Sequence, residues 1–259
     1  MSTTEIPDIL RPIAAAASKS AILADFDGTL SDVVADPAEA RPLPGAADVL
    51  ARLAGRYGRA ALISGRPVEF LAGRFEGGSP PPGLLLSGSY GLESIVDGEV
   101  VTHHGAGVWR PVVDRVADEA DRDSAAAIVE RKGLSLTLHY RTAPERADAV
   151  IAWAAAAAGR HGLEMRPAKQ SVELHPPVHV DKGDVVDELS AGMSGIVYLG
   201  DDVGDLPAFA ALDRLAGAGV HTVKVVVVAA ETAPQVRQVA DLVVDGPAGA
   251  LALLGALAA

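Results

Sequence analysis

The chain has 259 residues, no cysteine, 49% hydrophobic residues and a formal net charge of -12 at pH 7, with a sequence pI near 4.9. A disulfide framework and thiolate metal sites are excluded, and the composition fits a reducing compartment. So acidic a surface also argues against non-specific binding to nucleic acid or anionic membrane, and an anionic substrate would need locally focused positive charge.

Residues 1–21 carry Glu5 and Asp8 early and Pro12 midway, and read as a helix or arm, unlike a secretory leader. The short apolar run 21–24 predicts a strand covered on both faces of a parallel sheet, ending in Asp25-Phe26-Asp27-Gly28. In a strict strand Asp25 and Asp27 share one side. Two acids that close raise each other's proton affinity unless a cation intervenes, so the pair points to a divalent metal, a shared proton, or both. Taken alone, the pattern is equally a strand followed by an Asx-type turn.

A helix is predicted over 45–57, a strand over 60–63 ending in Ser64-Gly65-Arg66, a helix over 68–74, and a strand over 84–86 after the Pro-rich break 79–83. Repeated βα units imply a parallel sheet whose reactive groups gather at the carboxyl ends of its strands. An apparent hairpin around Asp97-Gly98 precedes a helical stretch over 108–130, an alternating strand over 134–140, a helix over 144–161 and a strand over 171–174. This is a small α+β module inserted at 105–180, with 1–104 and 181–259 forming the larger domain. Asp181-Lys182-Gly183 follows, then a strand over 196–199 that ends in Gly200-Asp201-Asp202-Val203-Gly204-Asp205. The apolar tail 248–259 is shorter than the roughly 20 residues that span a bilayer, and reads as a terminal helix on the core.

In this order the four stations at Asp25, Ser64, Lys182 and Asp201 resemble the haloacid dehalogenase (HAD) superfamily of phosphohydrolases. The resemblance implies an α/β fold: a HAD-like Rossmannoid core with a parallel sheet and helices on both faces, plus an inserted, smaller α+β cap that closes over the phosphatase site and selects the substrate. Chemistry gives each station a part. Asp25 is the candidate nucleophile, forming an aspartyl-phosphate, and Asp27 the candidate acid and base for the leaving oxygen and the water. Ser64 and nearby N–H groups would hold a phosphoryl oxygen, with Gly65 and Arg66 also at the substrate, and Lys182 supplies a point charge. Asp25, Asp27, Asp201, Asp202 and Asp205 are the candidate oxygen ligands for Mg²⁺.

Four further segments narrow the resemblance. Glu130-Arg131-Lys132 with the run to Arg141, Lys169-Gln170-Ser171-Val172-Glu173, Ser87-Gly88-Ser89-Tyr90-Gly91-Leu92-Glu93, and Asp36-Pro37 with Pro42 are similar to the trehalose-6-phosphate phosphatase family. That resemblance covers nearly the whole chain from about residue 21. It implies an Mg²⁺-dependent hydrolysis of trehalose 6-phosphate to trehalose and phosphate, with Glu130, Lys132, Lys169 and Glu173 holding the sugar hydroxyls; the lack of cysteine makes the cytoplasm the expected compartment. The plain alternative for these four is a set of exposed strand-edge charges. Tyr90 departs from the family's usual His, and Val203-Gly204 and Leu206 depart around the last acid. The expected partner is a small sugar phosphate, with no nucleic acid and no membrane; oligomeric state is open, a monomer being compatible. A phosphatase of another sugar phosphate and a catalytically silent metabolite-binding module are the other readings of the same residues. None of the seven histidines is given a catalytic part.

Overall fold

A computed structural model of the chain describes residues 5–34, 36–96, 98–123, 128–168, 170–230 and 232–259. It divides into two compact units, Met1–Val100 with Val180–Ala259, and Val101–His179. Chain order begins with α1 (Arg11–Ala15), β1 (Ser20–Ala24), α2 (Ala46–Arg56), β2 (Arg59–Ile63), α3 (Val68–Ala72), β3 (Leu84–Gly88), β4 (Glu93–Val96) and β5 (Glu99–Thr102). The insert follows with α4 (Arg110–Asp123), β6 (Ile128–Arg131), β7 (Leu136–His139), α5 (Ala147–His161), β8 (Glu164–Ala168) and β9 (Ser171–His175). The chain then returns through α6 (Lys182–Leu189), β10 (Gly195–Gly200), α7 (Leu206–Gly217), β11 (His221–Val228), α8 (Pro234–Gln238), β12 (Leu242–Asp245) and α9 (Gly246–Leu257).

Among the described residues the large sheet runs β12-β11-β10-β1-β2-β3-β4-β5. It is parallel from β12 to β3 and turns antiparallel at β4. Strand alternation sends β1 into two cores at once. Ile22 and Ala24 pack with Leu50 and Leu53 of α2 and Leu253 and Leu254 of α9, while Ala21 and Leu23 pack with Val186 of α6 and Phe209 and Leu212 of α7. Each fully buried Leu contributes about 1.5–3 kcal/mol. A strand enclosed on both faces has no place for an unpaired charge along its length. Polar groups therefore appear where neighbouring strands end: Asp25 after β1, Ser64 after β2 and Asp201 after β10, with β1 hydrogen-bonded between the other two.

The insert is a four-stranded antiparallel sheet, β6-β7-β9-β8. Leu136, Leu138, Val172 and Leu174 pack against Val113 and Val116 of α4 and Val150 and Ala154 of α5. The alternate positions face the other way, and the register sets Glu130, Thr137, Glu173 and Arg166 side by side across the four strands.

The helix expected over 108–130 is corrected: α4 is described as Arg110–Asp123, 124–127 lie outside the described residues, and Ile128–Arg131 is strand β6. The positive φ of Gly133, +74°, turns the chain back so that 128–131 pair with 136–139. Cross-strand pairing of the β-branched Ile128 and Val129 thus overrides their helical reading. Strands β8, β11 and β12 come without a specific sequence expectation. Of the hairpin expected around Asp97-Gly98, Asp97 lies outside the described residues, while β4 and β5 flank it. Among the described residues no helix is long and apolar enough to cross a membrane.

Candidate phosphoryl-transfer site

Strand β1 stops at Ala24, and the main-chain N–H of Asp25 still donates to Leu199 of β10, at 2.9 Å. The Asp25 carboxylate is thereby enclosed, with 5% of the residue exposed. Burial pushes its pKa well above the usual carboxylate range, against the pull of Lys182, whose Nζ lies 2.8 Å from Oδ1. Gly28 follows with φ +74°, and a Cβ there would fall 2.1 Å from Asp201 Oδ2. Only glycine lets the β1 loop approach the β10 loop so closely.

Asp27 does not share Asp25's surroundings. Both its oxygens accept from Arg66, Nε at 2.8 Å and Nη2 at 2.9 Å, a bidentate fork. The Arg66 guanidinium also lies 4.7 Å from the Phe70 ring centre. Each of the two acids is thus paired with a different cation, Asp25 with Lys182 and Asp27 with Arg66.

The loop after β2 is shaped by its neighbour. Ser64 N–H donates to the Ser87 carbonyl at 2.9 Å, Tyr90 N–H to the Ser64 carbonyl at 3.0 Å and Ser89 N–H to the Arg66 carbonyl at 2.7 Å. The Ser64 hydroxyl accepts from Arg66 N–H at 3.1 Å. Ser89 and Tyr90 both take left-handed backbone, φ 51° and 60°, a conformation non-glycine residues adopt at a cost and retain mostly at working sites. The Tyr90 ring lies over Gly65, so that a Cβ on Gly65 would come within 2.6 Å of Cζ. Beneath the loop, buried Glu93 accepts from Ser89 Oγ at 3.1 Å and Val68 N–H at 3.3 Å. Glu93 closes the 87–93 segment, and its place as a brace becomes visible only in three dimensions.

Lys182 opens α6, whose N-terminus is closed by Asp181, accepting from Gly183 and Asp184 N–H, and by Asp184, accepting from Asp181 N–H. Its ammonium, 3% exposed as a residue, bridges Asp25 Oδ1 and Asp205 Oδ1 at 2.8 and 2.7 Å. Burial alone would lower its pKa, but Asp205 and Asp25 carry it well above the usual lysine value. Asp205 Oδ1 also accepts from Tyr198 Oη at 2.7 Å. Its Oδ2 accepts from Asp201 and Asp202 N–H at 2.9 and 3.2 Å. Four donors match the four lone-pair positions of a carboxylate.

Asp25, Asp201 and Asp205 each bring a carboxylate oxygen within 4.8 Å of the others. Burial, then Asp205 and Asp202, push Asp201 up to about 8, and its Oδ1 is buried with no hydrogen-bond partner. A buried carboxyl oxygen without a partner, beside two more carboxylates, fits a hard divalent cation, which would displace the proton. Of the five acids expected as ligands, Asp205 is fully hydrogen-bonded, Asp27 is paired with Arg66, and Asp202 accepts from Gly204 N–H at 2.7 Å as a turn cap. Asp25 and Asp201 have carboxyl oxygens left for an ion, with Asp205 beside them in the same cluster.

In the insert, Glu130 pairs with His139 at 2.9 Å. Glu173 accepts from Ser135 Oγ at 2.5 Å, with Lys132 Nζ 3.9 Å from its other oxygen. Glu173 is buried, 5% exposed, which is not the setting of a solvated strand-edge charge. Lys169 lies outside the described residues.

A model of the trehalose-phosphatase family matches residues 23–248. The chain belongs to the trehalose-phosphatase family. It is 36% identical over 219 residues to a Mycobacterium avium trehalose-phosphate phosphatase, covering 80% of this chain and 54% of that protein. With its Mycobacterium leprae counterpart identity is 34% over 244 residues, covering 85% and 55%. The chain thus spans about half the length of the curated relatives it matches. The C-terminal domain of C. albicans trehalose-6-phosphate phosphatase has the same fold, with a TM-score of 0.75 at 24% identity and 98% of each chain covered.

Proposed function

We propose that this chain is a phosphoric monoester hydrolase that converts trehalose 6-phosphate to trehalose and phosphate. The observation that carries the reading is the enclosed cluster of Asp25, Lys182, Asp201 and Asp205, in which a carboxylate oxygen is held beside an ammonium and an unpartnered acid. Asp25 Oδ2 attacks phosphorus, the P–O bond to the sugar breaks, and an aspartyl-phosphate forms. Asp27, having taken up a proton from solvent on leaving Arg66, gives it to the departing sugar oxygen, then takes one from the water that attacks phosphorus and releases phosphate. To do so it must turn from Arg66, and an arriving phosphoryl group offers that guanidinium another bidentate partner. Ser64, Gly65 and Lys182 hold the phosphoryl oxygens. Asp25 and Asp201 would hold Mg²⁺, which when bound offsets the repulsion between an anionic nucleophile and an anionic ester.

Glu130, Lys132, Lys169 and Glu173 are proposed to recognise the sugar hydroxyls by charge-assisted hydrogen bonds. The insert is accordingly proposed as a substrate-selecting cap, and the cytoplasm as the site of the reaction, in keeping with a chain that carries no cysteine. Phosphate release with Mg²⁺ from a panel of phosphorylated mono- and disaccharides tests the assignment. Trehalose 6-phosphate should be preferred; equal activity on every member would remove the substrate assignment and leave the phosphatase.

A further inference from the structure

Tyr198 lies on β10 with its side chain fully enclosed and its ring edge-on to Phe209, centroids 5.5 Å apart. The chemistry above makes no use of it. A buried phenol requires an acceptor, and this one donates to Asp205 Oδ1 at 2.7 Å, the oxygen that also accepts from Lys182 Nζ at 2.7 Å. Two donors therefore share the charge of one oxygen. Asp205 cannot turn to separate them, because its Oδ2 is held by the main-chain N–H groups of Asp201 and Asp202. The resulting chain, Tyr198 to Asp205 to Lys182 to Asp25, runs from the interior of the sheet to the proposed nucleophile.

We infer that Tyr198 is a positioning residue for phosphoryl transfer: its hydroxyl shares the charge on Asp205 Oδ1 and so keeps Lys182 drawn toward Asp25. The inference rests on the phosphatase reading. An ammonium has three N–H donors; two reach Asp25 and Asp205, and the third is available to a phosphoryl oxygen. Without the phenol, all of the Oδ1 charge falls on Lys182. The Lys182–Asp205 contact then tightens at the expense of Asp25 and the incoming phosphoryl group. In a water-excluded interior such chains polarise one another, so the loss is not screened away. Were the ring present only to pack against Phe209, phenylalanine would serve as well.

Tyr198→Phe keeps the ring and removes only the hydroxyl. It should lower kcat roughly tenfold with KM within about twofold, alike on trehalose 6-phosphate and p-nitrophenyl phosphate, since the effect arises at the nucleophile. Calorimetric titration of the protein with Mg²⁺ should give an affinity within about threefold of wild type, the coordination set being untouched. Phe209→Leu, which loosens the ring but keeps the hydroxyl, should lower Tm and preserve kcat. An unchanged kcat in Tyr198→Phe would overturn the inference. So would a Tyr198→Phe chain that no longer folds, because the hydroxyl would then be holding the fold and not Lys182. A wild-type chain inactive on every ester is a separate result, which removes the phosphatase reading and this inference with it.

Discussion

The loops at the carboxyl ends of β1, β2 and β10 and the polar face of the insert's sheet both gather charged side chains, but they hold them differently. Around Lys182 the contacts are short and enclosed: 2.8 Å to Asp25, 2.7 Å to Asp205, and 2.7 Å from Tyr198 to the same Asp205 oxygen. On the insert's sheet Lys132 stands 3.9 Å from Glu173, and the buried Thr137 hydroxyl between Glu130 and Glu173 has no hydrogen-bond partner. The first arrangement suits bond-making, where groups must already be aimed before reaction. The second retains bonding capacity, which suits recognition of a polyhydroxylated ligand.

Removing the nucleophile breaks the comparison most severely. Asp25→Asn should cost on the order of 10⁴-fold or more in turnover on any ester, with the fold retained by circular dichroism. Near-normal turnover would refute the mechanism.

Chelation comes next. EDTA should abolish activity and Mg²⁺ restore it, while Ca²⁺, which prefers higher coordination numbers, should compete and support little turnover. Stability should follow the same ion. With Asp201 raised from 3.8 to about 8, the folded metal-free chain retains a proton that the unfolded chain has lost between those values. Stability therefore falls as pH rises from about 4 to about 8. Thermal melts across that range should show the slope without metal and a much flatter profile with saturating Mg²⁺. A flat metal-free profile would mean that Asp201 is not held as described.

A change in the insert should separate recognition from chemistry. Glu173→Ala should reduce kcat/KM for trehalose 6-phosphate roughly ten- to a hundredfold, the worth of one charge-assisted contact, and nearly spare p-nitrophenyl phosphate. Equal losses on both would make Glu173 a structural residue. The smallest effect is expected from Ser135→Ala, which removes one of the groups orienting Glu173: a change of about fivefold or less, in KM and on the sugar ester alone. A larger effect on kcat for p-nitrophenyl phosphate would erase the contrast between the two regions.

Much of the larger unit was legible locally. Apolar runs ending in Asp25, Ser64 and Gly200-Asp201 mark strands buried on both faces, because such strands tolerate polar residues only where they end. The insert was harder to read. The helical pattern of 110–123 carries no mark of where it stops, and the strand character of 128–131 depends on pairing with 136–139. Strand β11 is rich in valine, but its position between β10 and β12 is a tertiary fact. Glu93 and Tyr198 show the same limit at the site. Each is a polar residue in an apolar neighbourhood; Tyr198 meets Asp205 seven residues on and Glu93 meets Ser89 four residues back, contacts made only by the way the intervening turns fold.

By itself the amino-acid sequence determined the order of the reactive stations, the α/β class and the family resemblance, because each depends on short segments whose periodicity and turn chemistry are local. The pairing of charges was decided only by the tertiary structure. Asp25 and Asp27 are two residues apart, yet Lys182 and Arg66 claim one each; Asp205 is filled by Lys182, Tyr198 and two main-chain N–H groups; Asp201 is left with an oxygen to offer. Such assignments follow from which donors reach a carboxylate once water is excluded, and that depends on strands and helices far apart in the chain being packed together.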